Sequence, residues 1–102
     1  MDSSGIMDCV ELMCDVLPQL RKALDFTQED FSKIIGISRQ SVINIEHKDK
    51  KLTRSILISM ISFFSLRHES AKILYEQGLY RNTFVNEMGF SESMVLKIYE
   101  WR

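Results

Sequence analysis

The sequence has few of the residues that interrupt regular structure, with one proline and four glycines among 102 residues. Hydrophobic residues make up 45% of the chain. A chain of this length and composition fits a single helical domain with a small core, because few breakers leave most of it free to form helices. No stretch alternates apolar and polar residues in the way that strands do. The predicted fold class is therefore all-α.

A long apolar run is also missing. The longest runs from Ser55 to Leu66 and contains four serines, so it is too short and too polar to cross a membrane. It predicts a buried helix instead. The N-terminus has no basic region followed by an apolar stretch, which is the pattern of a secretory signal. We therefore expect a cytoplasmic protein with no membrane partner.

Cysteine and histidine are too few and too scattered for the usual metal sites. Cys9 and Cys14 have neither a CxxC spacing nor a separation that suits a disulfide within one helix, so we expect reduced cysteines that pack in the core. His47 and His68 are isolated from any nucleophile motif, phosphate-binding loop or HExxH pattern. The sequence predicts no metal, no cofactor and no enzymatic activity.

Net charge does not point to a nucleic-acid partner, since it is only −1 and the pI is about 6.1. The distribution of charge is more informative. Residues 1–20 contain four acids and no bases, residues 21–54 contain eight bases and five acids, and residues 55–102 contain five of each. The middle segment is therefore positive, as expected of a surface that binds phosphates.

The positive segment contains residues 27–47, TQEDFSKIIGISRQSVINIEH, which read as two short helices joined by a glycine turn. Thr27 and Ser38 are favourable N-caps for the two helices, and Gly36 stands where the first must stop with a positive φ. Ser32 is small enough for the helices to cross closely. The apolar stripes of the pair are Phe31, Ile34, Ile35, Ile37, Val42 and Ile45. The solvent side of the second helix carries Ser38, Arg39, Gln40, Ile43, Asn44 and His47.

On these residues, the segment LRKALDFTQEDFSKIIGISRQSVINIEHKDKKL resembles the lambda-repressor-like family of helix-turn-helix regulators, also called the Cro/repressor or xenobiotic-response-element family. The resemblance implies a five-helix DNA-binding bundle, here with additional C-terminal helices, that acts as a homodimer on a two-fold operator in double-stranded DNA. It also implies that Arg21 pairs with Glu46 and joins the first helix to the third. We expect these two residues and Gly36 to be structural.

The resemblance further assigns DNA contacts to positions that match the family. Base contacts are implied for Arg39, Gln40, Ile43 and Asn44. Phosphate contacts, which set register but not sequence preference, are implied for Gln28, Ser38, Ser41, Lys48, Lys50, Lys51 and Arg54. The family often has Asn-Gly after the glutamate, whereas this chain has His47 and Lys48.

The chain is expected to have three parts: an acidic N-terminal arm with a short helix (1–16), the helix-turn-helix domain (17–66) and a C-terminal helical extension (67–102). Pro18 interrupts an apolar pattern at helical spacing, so we expect one helix to end near Val16 and the next to hold Pro18 in its first turn. Gly78 and Gly89 predict helix ends in the extension, and Ser91 predicts a cap.

The extension is rich in aromatic residues, namely Tyr75, Tyr80, Phe84, Phe90, Tyr99 and Trp101. They either cover the same core or form a homodimer or partner interface, where aromatic anchors are enriched. Residues 84–98 also align with 31–45, which indicates either a degenerate second helix-turn-helix or ordinary helix-glycine-helix spacing. Glu92 and Ser93 would replace Arg39 and Gln40 there, so such an element would serve protein contact.

The sequence therefore predicts a sequence-specific DNA-binding transcriptional regulator, with repression as the default mechanism. One alternative is the antitoxin of a toxin–antitoxin pair that also regulates its own operon. Another is a protein-interaction module that has kept the fold but lost DNA binding. Arg39, Gln40 and Asn44 are all of base-reading types, which argues against a motif that has lost its function.

Overall fold

The structure is a computed structural model in which residues 3–49 and 52–90 are described. Those residues form helices without a strand, as the sequence predicted. In chain order the elements are α1 (Ser3–Ala23), α2 (Gln28–Ile35), α3 (Arg39–Glu46), α4 (Arg54–Ser65), α5 (His68–Glu76), a 3-10 turn (Leu79–Arg81) and α6 (Thr83–Glu87).

The predicted break before Pro18 is wrong, because α1 continues through the proline from Ser3 to Ala23. A proline inside a helix costs about 3 kcal/mol through the lost amide donor and a steric clash one turn back. On either side of Pro18, however, the side chains of Met13, Leu17 and Leu20 are fully buried. Burying each of these stabilises the fold by roughly 1.5–3 kcal/mol, so the continuous apolar stripe outweighs the local penalty.

The ends of α2 and α3 are where the local signals predicted them. The Thr27 side chain accepts a hydrogen bond from the Asp30 amide, and the Asp30 carboxylate accepts one from the Thr27 amide, which forms a capping box. Gly36 ends α2 in the left-handed conformation with φ of 84°. Ser38 then caps α3 by accepting from the Ser41 amide. These two caps and one glycine fix both ends of α2 and the start of α3.

Helix α4 is the buried helix that the serine-containing apolar run predicted. Leu57, Met60, Ile61 and Phe64 have no measurable exposure. The Phe64 ring stacks on Phe31 of α2 with centroids 5.3 Å apart. The core therefore extends from the helix-turn-helix into the middle of the bundle.

One residue of the apolar stripe predicted for α2 does not face the core, because Ile34 is 43% exposed. Phe31 is buried, and Ile35, one turn further along the same helix, is half-buried.

The first part of the C-terminal extension packs onto the same core. Tyr80 and Phe84 are buried, and the Tyr80 hydroxyl lies 2.7 Å from the Ser65 hydroxyl at the end of α4. Tyr75 and Phe90 are half-buried against the core. For these four aromatic residues the structure supports the interpretation that they cover the core, whereas Tyr99 and Trp101 lie outside the described residues.

The two glycines of the extension end helical segments as predicted, with φ of 81° at Gly78 and 96° at Gly89. The first half of the aligned repeat, residues 84–89, therefore has the helix and glycine turn that it shares with residues 31–36. Its second half, including Ser91, lies outside the described residues. The two segments thus match over one helix and its stop.

Both cysteines pack in the core and are unbridged, as expected. Burial raises the pKa of the Cys9 thiol to about 12. Burial also raises the pKa of the Cys14 thiol, although nearby Lys48 opposes the shift. Along the described ranges 3–49 and 52–90, none of the helices combines the length and apolar character needed to cross a membrane.

Candidate nucleic-acid interface

One side of α3 anchors the helix and the other faces solvent. Val42 and Ile45 are buried against the bundle. Arg39 and Gln40 are exposed on the opposite side, and Asn44 is half-buried one turn further along. The Gln40 amide nitrogen donates to the Asn44 side-chain oxygen over 2.9 Å. This hydrogen bond orients the side chains of Gln40 and Asn44, two of the four expected base-contacting residues, relative to each other. Ile43, another of the four, is half-buried.

Ser32, the small residue predicted at the crossing of α2 and α3, is buried. Ser32 is 4% exposed, and its hydroxyl donates to the Glu29 carbonyl over 2.7 Å. Its own carbonyl accepts from the amides of both Gly36 and Ile37. The turn between the helices is therefore held by two backbone hydrogen bonds to a single carbonyl.

A buried ion pair holds the other end of α3. Arg21 Nε lies 2.8 Å from Glu46 Oε2, and Arg21 Nη2 donates to Glu46 Oε1 over 3.2 Å. The two side chains are only 10% and 5% exposed. Arg21 Nη1 also donates to the Phe26 carbonyl, and Gln28 Nε2 donates to Glu46 Oε1 over 3.1 Å. The pair expected from the resemblance is thus present, and it links α1, α2 and α3.

Several of the expected phosphate-contacting side chains already have partners within the bundle. Gln28 is bonded to Glu46, and the Ser38 hydroxyl donates to the Ser41 hydroxyl over 2.9 Å at the start of α3. The Arg54 guanidinium lies over the Phe84 ring, 5.5 Å from its centroid. Lys50 and Lys51 lie outside the described residues. The two serines therefore lie at the N-terminus of α3, and Arg54 lies at the start of α4 against α6.

Lys48 has an unexpected partner and an unusual backbone conformation. Its ammonium nitrogen lies 2.6 Å from Asp15 Oδ1 of α1, and both side chains are about half exposed. The hydrogen bond and the charge of Asp15 raise the pKa of Lys48 above its usual value. Lys48 has φ of 61°, a left-handed conformation that glycine and asparagine adopt more readily. The turn after α3 therefore has a lysine at a position where glycine would be less strained.

Sequence reasoning missed two acidic residues of this region. The spacing Thr27-x-x-Asp30 is the signature of a capping box, so the role of Asp30 could have been predicted from the sequence. Bonds from Thr27 lower the pKa of the Asp30 carboxyl. Asp15 had no comparable signal, because its partner Lys48 is distant in sequence and only the fold brings them together.

Comparison with protein-family models gives a match with the description "Helix-turn-helix" over residues 19–69, which is half of the chain. The matched region includes α2, α3 and α4, with the Arg21–Glu46 pair inside it. Neither the curated proteins nor the solved structures gave a match. The family match and the geometry of α2 and α3 agree, so the chain belongs to the lambda-repressor-like, Cro/C1-type family of helix-turn-helix DNA-binding regulators.

Proposed function

We propose that this protein is a sequence-specific transcriptional repressor that inserts α3 into the major groove of its operator. The observation that carries the proposal is the two-sided character of α3. Val42 and Ile45 fix one side in the core, whereas Arg39 and Gln40 lie exposed on the other. An α-helix fits the major groove, where each base pair presents its own pattern of donors and acceptors.

The side chains of α3 suit particular bases. The Arg39 guanidinium can donate to O6 and N7 of a guanine, and an amide such as Gln40 or Asn44 can bond N6 and N7 of an adenine. Ile43 can contact a thymine methyl group. Because Gln40 donates to Asn44, the two amides are positioned as a unit. We infer that Arg39 and this amide pair read adjacent base pairs.

Phosphate contacts are proposed for the polar and basic residues around α3. Ser38 and Ser41 lie at the N-terminus of α3, where backbone amides and the helix dipole favour an anion. The remaining proposed contacts are Gln28, Lys48, Lys50, Lys51 and Arg54. Such contacts set affinity and register, and they do not select sequence.

We further propose that two copies bind a two-fold operator, with the two reading helices about 34 Å apart. The chain's net charge of −1 makes the phosphate attraction of one copy modest, and a second copy doubles the basic surface. A dimer bound over a promoter would repress by blocking access to it.

The proposal is tested by selecting bound duplexes from a random DNA pool at near-physiological salt. The wild-type protein should enrich a palindromic motif, and an Arg39→Ala/Gln40→Ala variant should not. Lys72→Ala serves as a matched control, because Lys72 is an exposed cation on α5 outside the proposed interface. No enrichment with the wild-type protein would contradict the proposal and favour a protein partner, either a toxin or another protein.

Single substitutions separate base contacts from phosphate contacts. Arg39→Ala should lose roughly 1–3 kcal/mol on the operator and relax preference at one base pair. Lys51→Ala should weaken binding to all sequences alike and lower the salt slope by about one. Equal losses on operator and random DNA for Arg39→Ala would contradict the proposed base contact.

A further inference from the structure

An apolar groove of about 720 Å³ lies between the N-terminal half of α1 and the start of α4. Ile6, Met7 and Val10 contribute apolar side chains to its α1 wall, and Leu52 contributes to its α4 wall. Met7 is 68% exposed, so an apolar side chain stands in solvent at the edge of the groove. A single copy of the chain therefore leaves a cleft and a neighbouring side chain, both apolar, in contact with water.

The two walls of the groove carry opposite charges. Among the described residues that line it, Asp8 and Glu11 are exposed acids of the α1 wall, and Arg54 is an exposed base of the α4 wall. Asp8 and Glu11 are three residues apart in α1, so they lie on the same side of that helix. The surface is thus divided into an acidic side and a basic side, with the apolar groove between them.

We propose that a second copy of this chain docks at this groove, around a two-fold axis that runs along it. A two-fold contact uses the same patch on both copies, and this axis brings the α1 wall of one copy opposite the α4 wall of the other. Asp8 and Glu11 of each copy then face Arg54 of the other copy. Met7 of each copy enters the groove of the other.

The charges favour this occupant and this axis. A peptide with charges of one sign would place like charges against one of the two walls, and like charges across a contact are strongly unfavourable. A second copy matches both walls at once. A two-fold axis perpendicular to the groove would set each acidic wall against the other acidic wall, so the charges also select the axis that runs along the groove.

The direction of the axis suits the proposed operator. The α1 wall runs from Ile6 to Glu11, and one turn after Glu11 the helix reaches Asp15, which pairs with Lys48 in the turn after α3. Rotation about an axis along α1 leaves positions along that axis unchanged, so both of these turns lie at the same end of the dimer. Both α3 helices can then approach one duplex, as a two-fold operator requires. This inference rests on the proposed function, because it supplies the interface of the proposed homodimer.

Sedimentation equilibrium without DNA provides the test, since Arg54 is also a proposed phosphate contact. The wild-type protein should dimerise as its concentration rises through roughly 1–100 μM. Met7→Glu should raise the dissociation constant of the dimer by about tenfold or more, because it places a charge in the apolar contact. The matched control is Leu66→Glu, which should leave the dissociation constant unchanged. Leu66 is an apolar residue that is 82% exposed, and it follows the opposite end of α4 from Arg54.

An exchange of charges shows whether the contact runs between copies. Asp8→Lys/Glu11→Lys makes both walls basic, and Arg54→Glu makes both walls acidic. Each variant alone should dimerise about tenfold or more weakly than the wild type, because like charges then oppose each other. An equimolar mixture should recover the dimer, since every basic wall meets an acidic wall. Charges that pair only within one chain could not recover on mixing.

The substitutions are compatible with folding because Met7, Asp8, Glu11 and Arg54 are all exposed. Arg54 is the first residue of α4, where a glutamate also suits the helix dipole. Circular dichroism of each variant establishes that the bundle is folded.

Three results would overturn the proposal. A wild-type protein that stays monomeric over this range would leave the groove to a partner of another kind. A dimer that tolerates Met7→Glu would have its interface elsewhere. Weakened variants that do not recover on mixing would show that the charges do not meet between copies.

The selection of DNA duplexes is read separately from these results. A palindrome enriched by a protein whose dimer withstands the groove substitutions would refute only this interface. A dimer that forms through the groove and enriches no duplex would refute only the repressor function.

Discussion

The buried pair Arg21–Glu46 predicts a large loss of stability when one partner is removed. Glu46→Ala takes away the acceptor for two guanidinium nitrogens of Arg21 and for the amide of Gln28. Arg21 is 9% exposed as a residue, so water cannot readily replace the carboxylate. Only the hydrogen bond to the Phe26 carbonyl would remain for the guanidinium.

Breaking a buried ion pair on one side typically costs about 3–5 kcal/mol, because the remaining charge is left uncompensated. For a domain of this size, each kcal/mol lowers Tm by roughly 4 °C or more. We therefore expect Glu46→Ala to lower Tm by about 12–20 °C. Because Glu46 is the last residue of α3, the helix proposed to enter the major groove, DNA affinity should also fall as α3 loses its link to α1.

The assay is urea or thermal unfolding followed by circular dichroism, with Glu76→Ala as the control. Glu76 is an exposed glutamate at the end of α5, and its substitution should change the free energy of unfolding by no more than about 0.5 kcal/mol. Replacing both partners, as in Arg21→Met/Glu46→Leu, should cost much less than Glu46→Ala because no buried charge is left. A loss below about 1 kcal/mol for Glu46→Ala, which is typical of an exposed pair, would show that the Arg21 charge is not left uncompensated in the core.

Three further predictions concern charge and cysteine. Asp15→Asn should raise DNA affinity at low salt, because it removes an acidic charge and releases Lys48, a proposed phosphate contact, from its ion pair. Unchanged affinity would show that the pair does not compete with DNA. Because the pKa of Asp30 is lower in the folded protein, its carboxylate stabilises the fold at pH values above its pKa in the unfolded chain. Asp30→Ala should therefore destabilise the protein at pH 7, and the difference from wild type should disappear as the pH falls through the folded-state pKa. Unfolding measured across this pH range checks the prediction. Cys9, with a pKa near 12, and Cys14, whose pKa is also raised, should react slowly with a thiol reagent until the protein unfolds, and rapid reaction of the native protein would contradict their burial.

The helix-turn-helix could be predicted from the sequence, because its signals act over only a few residues. A cap such as Thr27 or Ser38 bonds an amide three residues away, and Gly36 supplies a positive φ within its own residue. These interactions do not depend on the rest of the fold. The exposed positions on α3 follow from helical periodicity once its two ends are known, so the candidate DNA-reading residues were also accessible from sequence.

Features that depend on distant partners could not be predicted from the sequence, because they arise only when the helices pack together. Helix α1 continues through Pro18 because burial of Leu17 and Leu20 in the core outweighs a local penalty. Asp15 meets Lys48 only after α1 packs beside the turn that follows α3. The energies of burial and charge pairing depend on which surfaces meet, and local sequence patterns contain no information about that.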